Sequence, residues 1–353
     1  MKHFAVSPAR FARACFVFVA GFFALAAAPA SAQTKVRVGN VNTVSDISIY
    51  IADKKGYFKA EGLEVEFVGF QTAARMIAPL GTGELDVGGG TVGAGLYNAF
   101  SRKIGIAIVA DKGSSKPGYN FSQLMVRKDL VDSGRYKTFA DLKGMKIATV
   151  AKGTGNAATL NFALKLGGLT FKDADIVELG FPQHAAAYAN KAIDASITNE
   201  PTLTLMERRG YAVRVDKKEE VYPNHQTAVL LYSDKFRKER AGDALKFMRA
   251  YIRGARDYND SLKDGRIAGP NADEVIATLV QYTAVKDPAL LRDMTPNACD
   301  PDGNVNMASL EDDLNFFKAD GLIEDKNIKA TDVIDMSFAR KVQAELGPYV
   351  KKK

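Results

Sequence analysis

The chain has 353 residues, with 48 basic and 41 acidic side chains and a net charge of +7. This excess is mild and spread along the chain, apart from a basic run at 351–353, so nucleic acid is not an expected partner. Two cysteines and three histidines are too few to indicate a Cys-based zinc site or a redox motif. We therefore expect no metal site and no cofactor.

The first 32 residues have the order of a secretory signal peptide. A basic stretch with Lys2 and Arg13 precedes an apolar run over 14–28. That run is shorter than the roughly 20 residues needed to span a bilayer, and the A-x-A pattern Ala30-Ser31-Ala32 follows it. We expect cleavage after Ala32 and release into the periplasm; the alternative is an uncleaved membrane anchor. Cleavage leaves Cys299 as the one cysteine, so no internal disulfide is expected.

Short strand patterns and helical patterns then alternate along the chain. Leu63, Val65 and Phe67 alternate with glutamates, as in a half-buried strand. Gly56 is well placed to end the helix that precedes it. In chain order, the first group comprises strands at 36–41, 63–67, 85–88 and 104–108, and helices at 46–55, 72–80 and 92–102. This rhythm predicts βαβ units in a mostly parallel sheet with helices on both faces.

A second α/β group begins near Thr138 and gives way to a helical C-terminal tail. Its strands are predicted at 145–150, 176–179, 193–198, 212–215 and 227–232, with helices between them, including one at 156–166. The tail helices are predicted at 241–262, 272–283, 309–319 and 335–346. Two α/β units with a helical tail predict a two-lobed clamshell with chain crossings near 123–127 and 226–232. Lobe 1 is then 33–125 plus 228–353, and lobe 2 is 126–227.

Five segments in order resemble one family, the nitrate/sulfonate/taurine-type (NitT/TauT, SsuA-like) binding proteins and the related thiamine-pyrimidine-precursor binders. The segments are IADKKGYFKAEGLEVE at 51–66, GELDVGGG at 83–90, FADLKGMKIA at 139–148, GTGN at 153–156, and AIDA at 192–195 followed by Glu200-Pro201. The resemblance implies the class II periplasmic binding protein fold, two α/β lobes joined by a two-crossing hinge, and delivery of a small solute to a permease. Many relatives carry an aromatic residue before the Glu-Pro pair, where this chain has Asn199.

Candidate ligand residues of lobe 1 follow its strands, because the crevice in such folds lies outside the carboxyl ends of the strands. Thr43 follows the first strand, Gln71 and Thr72 follow the second, and Gly90 and Thr91 follow the third. Hydroxyl and amide groups there are able to donate to a ligand, and glycine permits a left-handed φ or a close approach of the backbone. The alternatives are N-capping for Thr43 and Thr72 and a tight turn for Gly90.

Candidate ligand residues of lobe 2 lie in two loops. Thr154, Gly155 and Asn156 precede a helix whose N-terminus favours an anion or a carbonyl group. The surrounding sequence lacks the P-loop spacing, so nucleotide hydrolysis is not indicated. Asn199 and Glu200 end another strand; Glu200 either binds an amine or amidine or forms a structural ion pair or hinge contact.

The two histidines beyond the leader are weaker candidates. His184 and His225 are either cleft contacts or ordinary structural and surface residues. The chain shows no His/Cys-rich segment of the kind carried by the eukaryotic pyrimidine-synthesis relatives, so an enzyme is not expected.

The resulting hypothesis is a monomeric, extracytoplasmic solute-binding subunit of an ABC importer. It binds a small polar or anionic organic solute of the sulfonate, taurine or nitrate class and docks on the transmembrane permease subunits. Two alternatives stay open: a binder of a thiamine-precursor pyrimidine or an aromatic acid, and a secreted ligand sensor for a receptor kinase.

Overall fold

The structure is a computed structural model that describes Met1, 33–216 and 221–352. The predicted signal peptide and its cleavage site lie outside these residues. In the part of the chain that is described, no helix is long and apolar enough to cross a membrane.

Strands and helices alternate along the described chain until the tail, which is largely helical. The strands are β1 (Thr34–Asn40), β2 (Leu63–Gly69), β3 (Val87–Thr91), β4 (Ile106–Gly113), β5 (Ser122–Arg127), β6 (Lys146–Thr149), β7 (Asp175–Glu178), β8 (Ala195–Asn199), β9 (Ala212–Arg214), β10 (Ala228–Ser233), β11 (Leu262–Lys263) and β12 (Arg266–Ile267). The α-helices are α1 (Ile47–Lys54), α2 (Tyr57–Ala60), α3 (Ile77–Thr82), α4 (Ala94–Ser101), α5 (Lys128–Asp132), α6 (Gly155–Leu166), α7 (Phe181–Ala189), α8 (Thr202–Arg208), α9 (Ala241–Ser261), α10 (Ala272–Tyr282), α11 (Pro288–Asp293), α12 (Met307–Ala319) and α13 (Ser337–Leu346). Short 3-10 helices lie at Val44–Asp46, Ala73–Met76, Phe139–Leu142, Phe171–Asp173 and Ala330–Val333, and a π-helical turn lies at Lys235–Glu239.

The strands form two five-stranded mixed sheets and one small hairpin. The first sheet has the order β2-β1-β3-β10-β4, and the second has the order β7-β6-β8-β5-β9. In the first sheet β1 pairs in parallel with β2 and β3, while β10 is antiparallel to β3 and β4. In the second, β6 is parallel to β7 and β8, while β5 is antiparallel to β8 and β9. The prediction of two α/β units with a helical tail is confirmed, and each sheet contains one antiparallel strand within it.

Two segments connect the sheets. The chain leaves β4 at Gly113 and enters β5 at Ser122, and it leaves β9 at Arg214 and returns at Ala228. The connecting segments are therefore 114–121 and 215–227. Residues 123–127, expected to form the first crossing, lie within β5, where they are largely buried on both faces of the sheet. The division into lobes at 125/126 and 227/228 stays a prediction.

The glycine run Gly88-Gly89-Gly90 lies inside β3, although the sequence predicts that Gly90 and Thr91 follow the third strand, with a tight turn as the alternative for Gly90. None of the three glycines has a left-handed φ. A Cβ atom on Gly90 would lie 3.2 Å from the Cβ of Ala73, and one on Gly89 would lie 3.0 Å from Oδ1 of Asp46. The glycines are needed because side chains pack closely against both faces of this central strand.

Helix α1 follows the sequence prediction, and α3 departs from it. Gly56, with φ 70°, follows the C-terminus of α1 as expected. The helix predicted at 72–80 begins as a 3-10 turn and becomes α-helical only at Ile77. Helix α9 crosses α1 so closely that a Cβ atom on Gly254 would lie 2.2 Å from the carbonyl oxygen of Ser48. This crossing holds the tail against the first sheet.

Buried apolar side chains form separate clusters. One cluster, which we call the shared core, joins both sheets and the tail through Ile108 of β4, Leu124 of β5, Leu160 of α6 and Phe317 of α12. None of the other clusters of described residues joins the two sheets. The α11 cluster includes Ile47, Tyr258, Leu291 and Met294, and the α8 cluster includes Met125, Leu203 and Met206.

Candidate ligand site between the strand edges

The carboxyl ends of the parallel strands form one edge on each sheet. Asn40, Thr91 and Gly113 end strands β1, β3 and β4 of the first sheet. In the second sheet Thr149 ends β6 and Asn199 ends β8. Asn199 pairs with Ser122, the first residue of β5, so the crossing from β4 leads directly to the second edge. This is the place where ligands bind in open α/β sheets.

The two edges touch where the loop after β3 meets the loop before α6. Gly93 and Thr154 form an antiparallel backbone bridge. The N–H of Ala94 donates to the carbonyl of Gly153 at 2.9 Å, and the N–H of Gly155 donates to the carbonyl of Val92 at 3.2 Å. A Cβ atom on Gly93 would lie 2.6 Å from the carbonyl oxygen of Gly153, so glycine permits this contact.

Thr154 is the N-cap of α6. Its hydroxyl accepts the N–H of Ala157 at 3.4 Å and donates to the carbonyl of Ala151 at 2.8 Å. Gly155 is buried beside the ring of His225, 3.3 Å from Cε1 to the position of a Cβ atom. Thr154 and Gly155 therefore lie at the predicted edge of the second sheet. The contacts that they make also stabilise the loop before α6.

Asn156 and Asn199 are brought together across the second edge. The side-chain amide of Asn156 donates to Oγ of Ser122 at 3.1 Å and to Oδ1 of Asn199 at 3.0 Å. All three residues are buried. Within the described residues, no hydrogen bond uses Oδ1 of Asn156 or Nδ2 of Asn199, so one acceptor and one donor remain unused by the described chain.

The loops of the first edge carry neutral polar groups. The hydroxyl of Thr43 is 3.0 Å from that of Ser45, and its N–H donates to Asp46 at 3.1 Å. Thr43 therefore takes part in the capping of the 3-10 turn that precedes α1, which agrees with N-capping, the alternative given for this residue. Thr72 makes no side-chain capping bond. Gln71 is exposed, and no hydrogen bond between described residues joins its side chain or that of Thr91 to the other candidates.

The sequence reasoning missed a buried ion pair beneath the first edge. Nζ of Lys112 lies 2.6 Å from Oδ1 of Asp46 and 3.0 Å from Oγ of Ser45. The side chains of Lys112 and Asp46 are 1% and 0% exposed. Gly89 leaves room for both side chains. The pair neutralises the acid that follows the first strand.

Glu200 is occupied by the protein itself. Its carboxylate accepts from Arg214 at 2.7 Å, from the N–H of Thr204 at 3.0 Å and from the N–H of Thr295 at 3.0 Å. Burial raises the pKa of Glu200, and Arg214 with the N–H donors opposes that rise. These contacts favour the structural ion pair over contact with an amine.

The histidines are also held inside the protein. His184 is buried between Oγ1 of Thr198 at 2.7 Å and the carbonyl of Leu179 at 3.0 Å, and burial lowers its pKa to about 4. His225 is buried against Asp313 at 3.0 Å. No group of three His, Cys, Asp or Glu side chains among the described residues is arranged to hold a metal ion.

Comparison with known proteins identifies the family. The family model described as NMT1/THI5 like matches residues 44–260, more than half of the chain. The chain belongs to the NMT1/THI5-like family. The match covers the five segments that resemble the nitrate/sulfonate/taurine-type binding proteins, and it confirms that resemblance together with the relatives that follow.

Relatives that match this chain in sequence include two that are named as binding proteins. A binding protein of Brucella abortus is 28% identical over 226 residues, which are 63% of this chain and 66% of the relative. A Bacillus subtilis protein named for binding aliphatic sulfonates is 24% identical over 343 residues, 93% of this chain and 96% of the relative. The NMT1/THI5-like chain thus matches 66% of the length of the Brucella relative.

Solved structures share the fold at low sequence identity. The alkanesulfonate-binding protein SsuA of Xanthomonas axonopodis pv. citri has a TM-score of 0.64 and 16% identity, with 86% of this chain and 98% of that chain covered. The nitrate-binding protein NrtA of Synechocystis PCC 6803 has a TM-score of 0.69 and 14% identity, with 89% of each chain covered. The desulfurization enzyme DSZB has a TM-score of 0.59 and 14% identity, with 89% and 100% covered. The fold is therefore that of the periplasmic binding proteins, and one enzyme shares it.

Proposed function

We propose that this protein is the extracytoplasmic solute-binding subunit of an ABC importer. It captures a small polar or anionic organic solute of the sulfonate, taurine or nitrate class and delivers it to the transmembrane permease subunits. Support comes from the family, from the Bacillus relative's name and from the sulfonate- and nitrate-binding structures with the same fold. The chain is proposed to be exported by a signal peptide cleaved after Ala32 and to act in the periplasm as a monomer.

The observation that carries this proposal is the meeting of the two strand edges at Gly93 and Thr154. Next to that contact, the free amide atoms of Asn156 and Asn199 offer one acceptor and one donor. Thr91 ends the neighbouring strand β3 of the first sheet. A solute held there touches both proposed lobes, 33–125 with 228–353 on one side and 126–227 on the other. Its contacts therefore favour closure of the two lobes.

The charges near the edges favour an anionic or neutral solute over a cation. Asp46 and Glu200 are ion-paired with Lys112 and Arg214. The ammonium group of exposed Lys152, in the loop after β6, has no carboxylate within 4.0 Å in the described chain, although the backbone N–H of Lys152 donates to Glu178 at 2.8 Å. Since Asp46 and Glu200 are already paired, neither carboxylate is available to a cationic solute, whereas an anion is attracted by the exposed ammonium group of Lys152.

We propose that the protein releases its solute unchanged, although DSZB shows that this fold also hosts an enzyme. Catalysis by a nucleophile and a base needs both groups within reach of the solute. Cys299 is buried, and its pKa is raised by burial. His184 and His225 are likewise buried and hydrogen-bonded, so these three side chains do not offer such a pair.

A thermal-shift screen of residues 33–353 tests the proposal. The panel contains alkanesulfonates, taurine, nitrate, aromatic carboxylates, pyrimidines and simple amines. A solute at about 100 times its Kd should raise the free energy of unfolding by about 2.7 kcal/mol. Hits among sulfonates, taurine or nitrate support the proposal, and NMR of the recovered solute checks that it is unchanged. A response to simple amines alone would contradict the charge argument, and a pyrimidine or aromatic acid would establish the alternative cargo.

Two substitutions test the second edge with the solute that the screen finds. Asn199→Ala and Thr154→Ala should each weaken binding, measured by calorimetry, by about 5- to 10-fold, equivalent to about one hydrogen bond. Thr154→Ala also removes an N-cap, which costs about 1 kcal/mol. Thr170→Ala is the matched control, because Thr170 caps an exposed 3-10 turn in the same half. Unchanged affinity in both edge variants would reject this site.

A further inference from the structure

The two proposed lobes are joined differently on the two faces of the sheets. On the α12 face, the shared core continues without interruption from the first sheet to the second. Phe171, from the second half, stacks on Phe316 of α12 with ring centroids 5.6 Å apart. Tyr222, in the second connecting segment, stacks on Phe162 of α6 at 4.0 Å and donates to Asp313 of α12 at 2.8 Å. This face is joined by apolar contacts that are costly to separate.

On the opposite face, the apolar clusters stop on either side. Helix α8 is anchored in its own half by Leu203 and Met206. Helix α11 is anchored in the first half by Leu291 and Met294, which pack with Ile47 of α1. No apolar cluster of the described residues includes side chains from both helices, so polar groups make the connection.

Arginine and aspartate side chains connect these two helices. Arg208, at the end of α8, pairs with Asp287 at 3.2 Å and also with Asp293. Asp287 is the N-cap of α11, and Asp293 is its last residue. Nearby, Arg214 donates to Oγ1 of Thr295 at 2.9 Å, and the N–H of Thr295 donates to the buried carboxylate of Glu200 at 3.0 Å. We call the group Arg208, Asp287 and Asp293 the clasp.

We propose that the clasp is an electrostatic latch that opens when the lobes separate, while the α12 face stays packed. The reason is the contrast in chemistry between the faces. The clasp side chains are between a third and two thirds exposed, so water and ions replace their contacts at little cost. Water cannot replace the apolar contacts on the α12 face in this way, so separating that face costs more free energy. The inference rests on the proposed function because it assigns the opening to solute entry.

The clasp makes the equilibrium between the closed and open forms of the ligand-free protein depend on salt concentration. At about 20 mM salt the Debye length is on the order of 20 Å, and at about 500 mM it is on the order of 4 Å. Two exposed ion pairs bias such an equilibrium by about 2- to 10-fold. Added salt should therefore increase the open population by that factor.

Distances between nitroxide labels test the latch without any solute. One label pair, on cysteines introduced at Arg209 and Ala289, spans the clasp; a second pair, at Lys165 and Asn315, spans the α12 face. All four positions are exposed, and native Cys299 is buried. In the parent protein, about 500 mM NaCl should lengthen the 209–289 distance and leave the 165–315 distance unchanged.

Charge variants separate the latch from a general salt effect. Arg208→Gln should populate the long 209–289 distance at low salt by about 2- to 10-fold more and abolish the response to salt. Adding Asp287→Asn and Asp293→Asn should have no further effect, because the pairs are already broken. Lys286→Gln is the control, since Lys286 lies next to Asp287 and contacts a carbonyl rather than an acid.

Two results would overturn the proposal. The first is a 209–289 distance that changes neither with salt nor in Arg208→Gln. The second is a change in the 165–315 distance while the 209–289 distance stays constant. Failure of every solute in the thermal-shift screen would count against the proposed function alone, because the label distances are measured on ligand-free protein.

Discussion

Removal of one partner from the buried Lys112–Asp46 pair should be strongly destabilising. Lys112→Met leaves the carboxylate of Asp46, which is 0% exposed, without its ammonium partner at 2.6 Å. The carboxylate keeps the N–H of Thr43 at 3.1 Å and the more distant hydroxyl of Tyr50 at 3.5 Å. These neutral donors do not replace a full charge, so Lys112→Met should lower the free energy of unfolding by about 3–5 kcal/mol.

The double variant Lys112→Met/Asp46→Asn separates the lost charge from the lost packing. It keeps a polar side chain at position 46 and leaves no buried charge, and replacing a whole buried pair is often close to neutral. It should therefore recover at least half of the loss seen in the single variant. Urea unfolding of 33–353 at pH 7, followed by circular dichroism, measures all three proteins. A loss below about 1 kcal/mol in Lys112→Met would refute the reasoning, because an isolated buried carboxylate is more costly than that.

Two further predictions concern His184 and Gly254. The pKa of His184 falls from 6.5 to about 4 on folding because of burial. Only the unfolded chain binds the proton between these values, so stability should fall by about 3 kcal/mol as pH drops from about 6.5 to 4. His184→Gln should remove this loss of stability at low pH, and identical pH profiles for the variant and the parent would contradict the prediction. Burial raises the pKa of Asp111 to about 6, which has the opposite effect on stability. Because both proteins contain Asp111, its contribution cancels when their profiles are compared. Gly254→Ala should cost about 1–3 kcal/mol in urea unfolding because α9 must move off α1. Gly242→Ala, in the same helix with open space around it, should cost nothing; equal losses in both variants would contradict the crossing argument.

Local sequence patterns were sufficient to predict most of the fold. The alternation around Leu63 and the stop at Gly56 describe single elements, and the structure confirms both. The pattern failed where a residue's conformation depends on distant packing. The sequence places Gly90 after the third strand, yet it lies inside β3, where Asp46 approaches one face and the 3-10 turn at Ala73 approaches the other.

The proximity of the candidate residues was predictable from the sequence, and their bonding partners were less so. The rule that ligands bind at strand ends placed Asn156 and Asn199 in neighbouring loops, and the structure joins them by a hydrogen bond. The partners of the two acids were not predictable. Lys112 is 66 residues from Asp46, and no periodic pattern links residues so far apart. For Glu200 the sequence left the ion pair and the ligand contact open.

The acids at the site are tied to the folding of the chain, and this constrains how the protein can change its cargo. Asp46 accepts the N–H of Thr43, and Glu200 accepts the N–H groups of Thr204 and Thr295, so a substitution of either acid disturbs folding before it alters recognition. Gln71 and Thr91 carry no such duty in the described structure. Substitutions of exposed Gln71 and of Thr91, which ends β3, should therefore change recognition at the proposed site while the buried charges keep the scaffold constant.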